Sequence, residues 1–129
     1  MSYRQTVIAP APDCKAQTAT IPPEKSPPSK AQVEYDLLTR EPATHDHDSF
    51  NYTVYATQCT NKGTKPEPRD QWLSKGRPCM RASPLTKTYG WHAHYDAAAK
   101  ITLLDSDAAA KLIKSAGVET RPAMRNKKA

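Results

Sequence analysis

The chain has 129 residues, enough for about one domain with one modest core. No apolar run approaches the ~18 residues that a membrane span needs. The net charge of +6 invites a nucleic-acid reading, but residues 121–129 carry four of the 19 cationic residues and no acid, so the first 120 keep only +2, an ordinary mixed surface. The three cysteines include no CxxC pair and are odd in number, which reads as free thiols and not as a disulfide framework. The opening residues lack both the apolar stretch of a secretory signal and the Arg-rich pattern of a transit peptide, so a cytoplasmic address is expected.

In chain order, "QTVIAPAP" predicts a short strand over Gln5–Ala9, stopped by Pro10 and Pro12 and therefore placed at a sheet edge. Residues 10–29 are Pro-rich and predict an extended connector with polyproline II character. "SKAQVEYDLLTREP" predicts a helix. Ser29 and Gln32 match a capping box, Ala31, Tyr35 and Leu38 share one face, and Pro42 stops it. "ATHDHDS" reads as a polar loop. "SFNYTVYATQC" alternates, with Phe50, Tyr52, Val54 and Ala56 on one side, and predicts a half-buried strand. "TKPEPRDQWLSKG" predicts a short helix closed by Gly76, with Trp72 packed beside Tyr89, Trp91 and Tyr95 of the later strand. Tyr89–Tyr95 and Lys100–Leu104 predict a hairpin, with Tyr89, Trp91, Ala93 and Tyr95 on the core face and His92 and His94 opposite. "SDAAAKLIKSAG" predicts a last helix, capped by Ser106 and ended by Gly117.

The expected architecture is one α+β domain over residues 1–117: a small antiparallel sheet of three to four strands with about three helices covering one face. Residues 118–129 are expected to be a basic flexible tail.

At "KGRPCMRASPLTKTYGWHAHYD" the chain resembles a family of small uncharacterised proteins, mainly bacterial, catalogued as a domain of unknown function. The shared pattern is K-G-x-P-C-x-R-A-S-P-L-x-K-x-Y-G-W-x-x-H, from Lys75 to His94, with a second match at "APDC", Ala11 to Cys14. The resemblance covers most of residues 4–104. It implies a shared fold and brings no activity. The pattern has Gly where this chain has His92, and Cys59 is particular to this chain.

Candidate chemistry gathers in the same segment. Cys79 lies between Arg77 and Arg81, cations that favour a thiolate, and His94 within hydrogen-bond reach would make a Cys–His pair. The competing reading makes Cys79 a small buried hydrophobe. A Cys14–Cys79 redox pair requires the fold to bring the two together. Arg81, Ser83 and Lys87 offer a fork, a hydroxyl and a point charge to an anion, whereas Arg81 as a brace would satisfy backbone carbonyls. His92 and His94 project from one strand face and suit two metal ligands, with Cys59 or Asp96 as a third. The bland alternative is no metal, and "HDHD" (His45 to Asp48) reads as solvated loop. There is no P-loop or GxGxxG pattern, and nothing asks for a cofactor.

Three functions remain, in this order. The first is a non-catalytic binding or interaction module that uses the loop 75–87 on an anionic group or a protein partner. The second is a small enzyme with Cys79 as nucleophile. The third is nucleic-acid or assembly binding through Arg121, Arg125, Lys127 and Lys128.

Overall fold

The computed structural model describes residues 3–126. Its elements are β1 (Thr6–Ala9), α1 (Lys30–Arg40), α2 (His47–Asn61), α3 (Arg69–Leu73), a 3₁₀ turn (Met80–Ala82), α4 (Pro84–Lys87), β2 (His92–Tyr95), β3 (Ile101–Leu104), α5 (Ser106–Ala116) and β4 (Glu119–Pro122). The fold is α+β, with a four-stranded sheet in the order β3-β2-β1-β4. β2 pairs antiparallel with both β1 and β3, and β4 runs parallel to β1. The sheet is therefore mixed, not purely antiparallel, because the chain crosses over from β3 through α5 before β4 lies down beside β1. β1 is consequently an inner strand, although its flanking prolines suggested an edge.

Alternation along the strands sorts the two faces. Ile8, Ala93, Tyr95 and Ile101 point into the main core, where Leu37, Leu38, Phe50, Val54, Met80 and Leu85 meet them from α1, α2 and the 80–87 segment. Each large side chain fully buried there contributes roughly 1.5–3 kcal/mol of hydrophobic stabilisation before entropy is charged against it. Val7 and its partner His94 point to the other face, where α5 packs on β2 and β3 and buries Ala109. That second face is thus covered in part.

The helix over Lys30–Arg40 forms as its signals require. The Gln32 N–H donates to Ser29 Oγ, while the Gln32 side chain accepts from the Lys25 N–H in place of the reciprocal capping-box bond. Residues 47–61 are the main correction, because the expected strand is a 15-residue helix. Asp46 caps it by accepting the Ser49 N–H at 2.9 Å, and His47, Phe50 and Val54 recur at helical spacing on the buried side. The same residues alternate by coincidence. Length arbitrates, since an unbroken segment this long exceeds an ordinary strand.

In α5 the cap is Asp105, which accepts the Ala108 N–H at 2.8 Å, one residue before the expected Ser106, and Gly117 ends the helix at φ 60°. The chain from 119 to 122 is strand and not tail. Lys127 and Lys128 lie outside the described residues. The Pro-rich connector runs as a strap across the 86–91 segment: the Ala11 N–H donates to the Thr86 carbonyl, the Thr20 N–H to that of Tyr89, and Trp91 Nε1 to that of Thr20. No helix among the described residues is long and apolar enough to cross a membrane.

Candidate functional site

The segment after α3 folds back on the helix that precedes it. Gly76 takes φ 68°, which turns the chain, and the Arg77 guanidinium lands 3.6 Å from the centre of the Trp72 ring. Arg77 Nε and Nη2 both donate to the Trp72 carbonyl, at 3.1 and 2.8 Å. Trp72 in turn stacks on Tyr55 of α2, with ring centres 4.4 Å apart and planes 11° apart. The Tyr52 hydroxyl donates to the Glu67 carbonyl and the Glu67 N–H donates to the Tyr55 hydroxyl, so the extended chain before α3 is gripped by the same rings. The result is a cation–indole–phenol stack. It corrects the expected place of Trp72, which belongs with α2 and not with the Trp91 strand.

This stack walls a groove with two clefts that meet at Lys30, Asn51 and Pro78. The outer cleft, about 140 Å³, is lined by Val54, Tyr55, Gln58, Trp72 and Arg77. That space is close to a cavity able to take a benzene-sized group. The inner cleft, about 10 Å³, reaches Glu34, Cys79 and Ser83 and has room for about one water.

Glu34 closes the inner end. Its side chain is 3 % exposed, the Ser83 hydroxyl donates to its Oε1 at 2.6 Å, and Lys30 Nζ stands 4.0 Å from its Oε2. Burial pushes its carboxyl up from the ordinary range, while the Ser83 bond and the Lys30 charge oppose that rise. Asn51 ties the rim together by donating to the carbonyls of His47 and Pro78.

The residues singled out in the sequence are dispersed around this groove. Cys79 lines the inner cleft and is half-buried. His94 projects from the opposite face of β2 to Tyr95, whose hydroxyl meets the Met80 backbone, so the sheet separates His94 from the Cys79 side. Cys14 is held elsewhere, its thiol donating to the Thr88 carbonyl at 3.4 Å. Arg81 Nε donates to the Pro122 carbonyl at 2.8 Å, which makes it a brace between the 3₁₀ turn and β4. Ser83 caps α4 by accepting the Leu85 N–H and spends its proton on Glu34. Lys87 borders a separate surface hollow with Asp13, Lys15 and Asn126. The structure therefore does not gather Arg81, Ser83 and Lys87 around one point.

Cys59 lies on α2, away from the His92/His94 strand, and Asp96 is occupied in the β2–β3 turn, accepting the N–H groups of Ala98 and Lys100. Among the described residues no three metal-capable side chains cluster. In "HDHD", Asp46 is the α2 cap and His47 is buried, while His45 bridges Glu41 and Ser49 at 2.6 Å each. That loop is structural. Arg121 stands on exposed β4 beside Glu119, at 3.5 Å, and Arg125 is exposed.

Sequence reasoning passed over Lys30, Glu34 and Gln58. For Glu34 a signal existed. It falls three residues after Ala31 and four before Leu38, on the apolar stripe of α1, where an acidic residue is out of place. Gln58 was hidden by the misreading of α2 as a strand.

The whole chain, residues 1–129, matches the model of a family described as a family of unknown function, DUF6157, and the protein belongs to that family. No curated protein and no solved structure matches it.

Proposed function

We propose that this family member is a non-catalytic binding module, in which the first part of the loop Lys75–Lys87, together with α1 and α2, receives a small anionic group carried free or on a protein partner. The observation that carries the reading is that Lys30, Arg77 and Gln58 line one cleft together with the stacked Tyr55–Trp72 pair. Two cations and an amide offer donors to an anion, and Arg77 commits only two of its five N–H groups to the Trp72 carbonyl. Both faces of Trp72 are taken by Arg77 and Tyr55, so the stack borders the ligand with its apolar ring edges. The size of the outer cleft supports a ligand or partner side chain no larger than a single ring.

In this reading Arg81 and Ser83 are the frame of the loop and Lys87 stands outside the site. Catalysis by Cys79 draws no support from the geometry, since the proposed base His94 faces away and the cleft beside the thiol takes about one water. A cytoplasmic address belongs to the same reading, supported by three unpaired cysteines.

The test is a titration with benzenesulfonate, benzoate and phosphate, against neutral benzyl alcohol, followed by the two tryptophan indole N–H signals in NMR. The anions move the Trp72 signal and leave Trp91 in place, and Arg77→Ala removes the response. Silence of Trp72 towards all three anions would sink the proposal.

A further inference from the structure

We infer that Glu34 gates the groove through Lys30, so that the site holds anions tightly when this carboxyl is neutral and loosely when it is ionised. The inference rests on the anion-binding reading above and adds its regulation.

Lys30 and Glu34 stand one helical turn apart on α1, the spacing at which such side chains meet. Their surroundings differ sharply. The Glu34 side chain is 3 % exposed and the Lys30 side chain 47 % exposed. Lys30 lines both the outer and the inner cleft, so its ammonium has two competing partners: the carboxyl behind it at 4.0 Å and an anion in the groove before it. An ionised Glu34 neutralises Lys30 and also repels a second negative charge brought beside it. A neutral Glu34 removes both effects and keeps its bond with Ser83.

The other groups facing Glu34 do not offer the same switch. The 79–83 segment presents Cys79 and the Ser83 hydroxyl, and α2 presents the non-titrating side chains of Phe50 and Asn51. From β2 comes the Tyr95 phenol, which burial pushes well above the ordinary range and so keeps neutral. Beyond the rim, Arg77 stays charged, and the buried His47 on α2 lies beside its backbone, with burial pulling its imidazole pKa down. Burial of Glu34 itself shifts its titration up from the ordinary carboxylate range. By linkage, an anion that draws Lys30 away raises the carboxyl further, so binding takes up a proton.

The experiment is calorimetric titration of the full chain with benzenesulfonate, which stays ionised throughout, at pH 5.5 and pH 8 in buffers of different ionisation enthalpy. Wild type binds about tenfold more tightly at the lower pH, a usual size for coupled sites, and takes up protons on binding between these limits. Glu34→Gln binds tightly at both values without proton uptake. Lys30→Met binds weakly at both. His47→Asn keeps the wild-type profile.

A Glu34→Gln protein with the wild-type pH dependence overturns the gate. So does wild type that binds equally at both pH values, which leaves the binding reading standing. If Glu34→Gln does not fold, Lys30→Met decides, because a retained tenfold dependence in that variant overturns the gate. Absence of binding to wild type at either pH overturns the gate and the binding reading together.

Discussion

Inside the core the backbone N–H of Met80 donates to the hydroxyl of Tyr95 at 3.0 Å, and both residues are all but fully buried. A phenol on β2 therefore holds the start of the 3₁₀ turn, and with it the floor of the groove. Tyr95→Phe removes the acceptor and strands a buried N–H, at a cost of about 1–3 kcal/mol. Urea denaturation measures it. The loss appears as a lower midpoint with unchanged slope.

Gly90 takes φ 78°, and a Cβ there would stand 2.7 Å from the Thr18 carbonyl oxygen, an atom of the strap's own backbone. Gly90→Ala combines a left-handed conformation with a clash that no flexible side chain can relieve. It is expected to destabilise by about 1–3 kcal/mol. The strap lifts locally, the Trp91 Nε1–Thr20 bond is lost, and tryptophan emission moves to longer wavelength.

His92 and His94 lie on the face that α5 covers, and burial lowers both pKa values below 6.5, with Asp105 and Asp96 respectively opposing the shift. The buried His47 shifts the same way. The unfolded chain thus binds more protons than the folded one just below pH 6.5, so this stabilisation is full above that value and is lost as the pH falls through the folded-state values. Glu34 works in the opposite sense. Its carboxyl is raised above 4.5, so its contribution is full below that pH and is lost as the pH rises through the folded value. Urea midpoints measured from pH 5 to 8 fall on the acid side. The double variant His92→Asn, His94→Asn shows a shallower fall, with His47 supplying the remainder.

Arg81 holds β4 twice, through its Nε to the Pro122 carbonyl and through its own carbonyl to the Met124 N–H at 2.7 Å. Arg81→Ala removes the first bond only. The expected cost is about 0.5–1.5 kcal/mol. Amide exchange accelerates at Glu119, Ala123 and Met124 and stays unchanged in the β2–β3 hairpin.

What was legible followed from local signals. The α1 helix carried a cap, a stripe and a stop. The β2–β3 hairpin carried a clean alternation, and its register pairs Ala93 with Leu103 and Tyr95 with Ile101. Residues 47–61 misled because β-branched and aromatic residues happen to alternate there, while the deciding cap, Asp46, sat in what read as a polar loop. β4 was invisible because all four of its residues are exposed, so no apolar pattern marks it. It is a strand because β1 supplies a partner from far away in the sequence, a tertiary cause that local propensity does not contain. The groove was legible only in halves. Arg77 drew notice through its charged neighbourhood, whereas Lys30 and Gln58 join it solely because α1 and α2 pack side by side.

The parallel pairing of β1 with β4 sets a timetable. β1 leaves the ribosome early, and its register partners Thr120 and Arg121 leave more than a hundred residues later. By then β2 and β3 are already synthesised and able to pair with its other side. Until β4 pairs with it, β1 keeps one bare edge, the feature most open to wrong pairing. The β1–β4 pairing is long-range in sequence, and with β1, β2 and β3 paired only the α5 crossover is left to close. The Arg81 brace and the Ala123 N–H, which donates to the Ala9 carbonyl at 2.8 Å, then act as the catch that makes that final arrival stay.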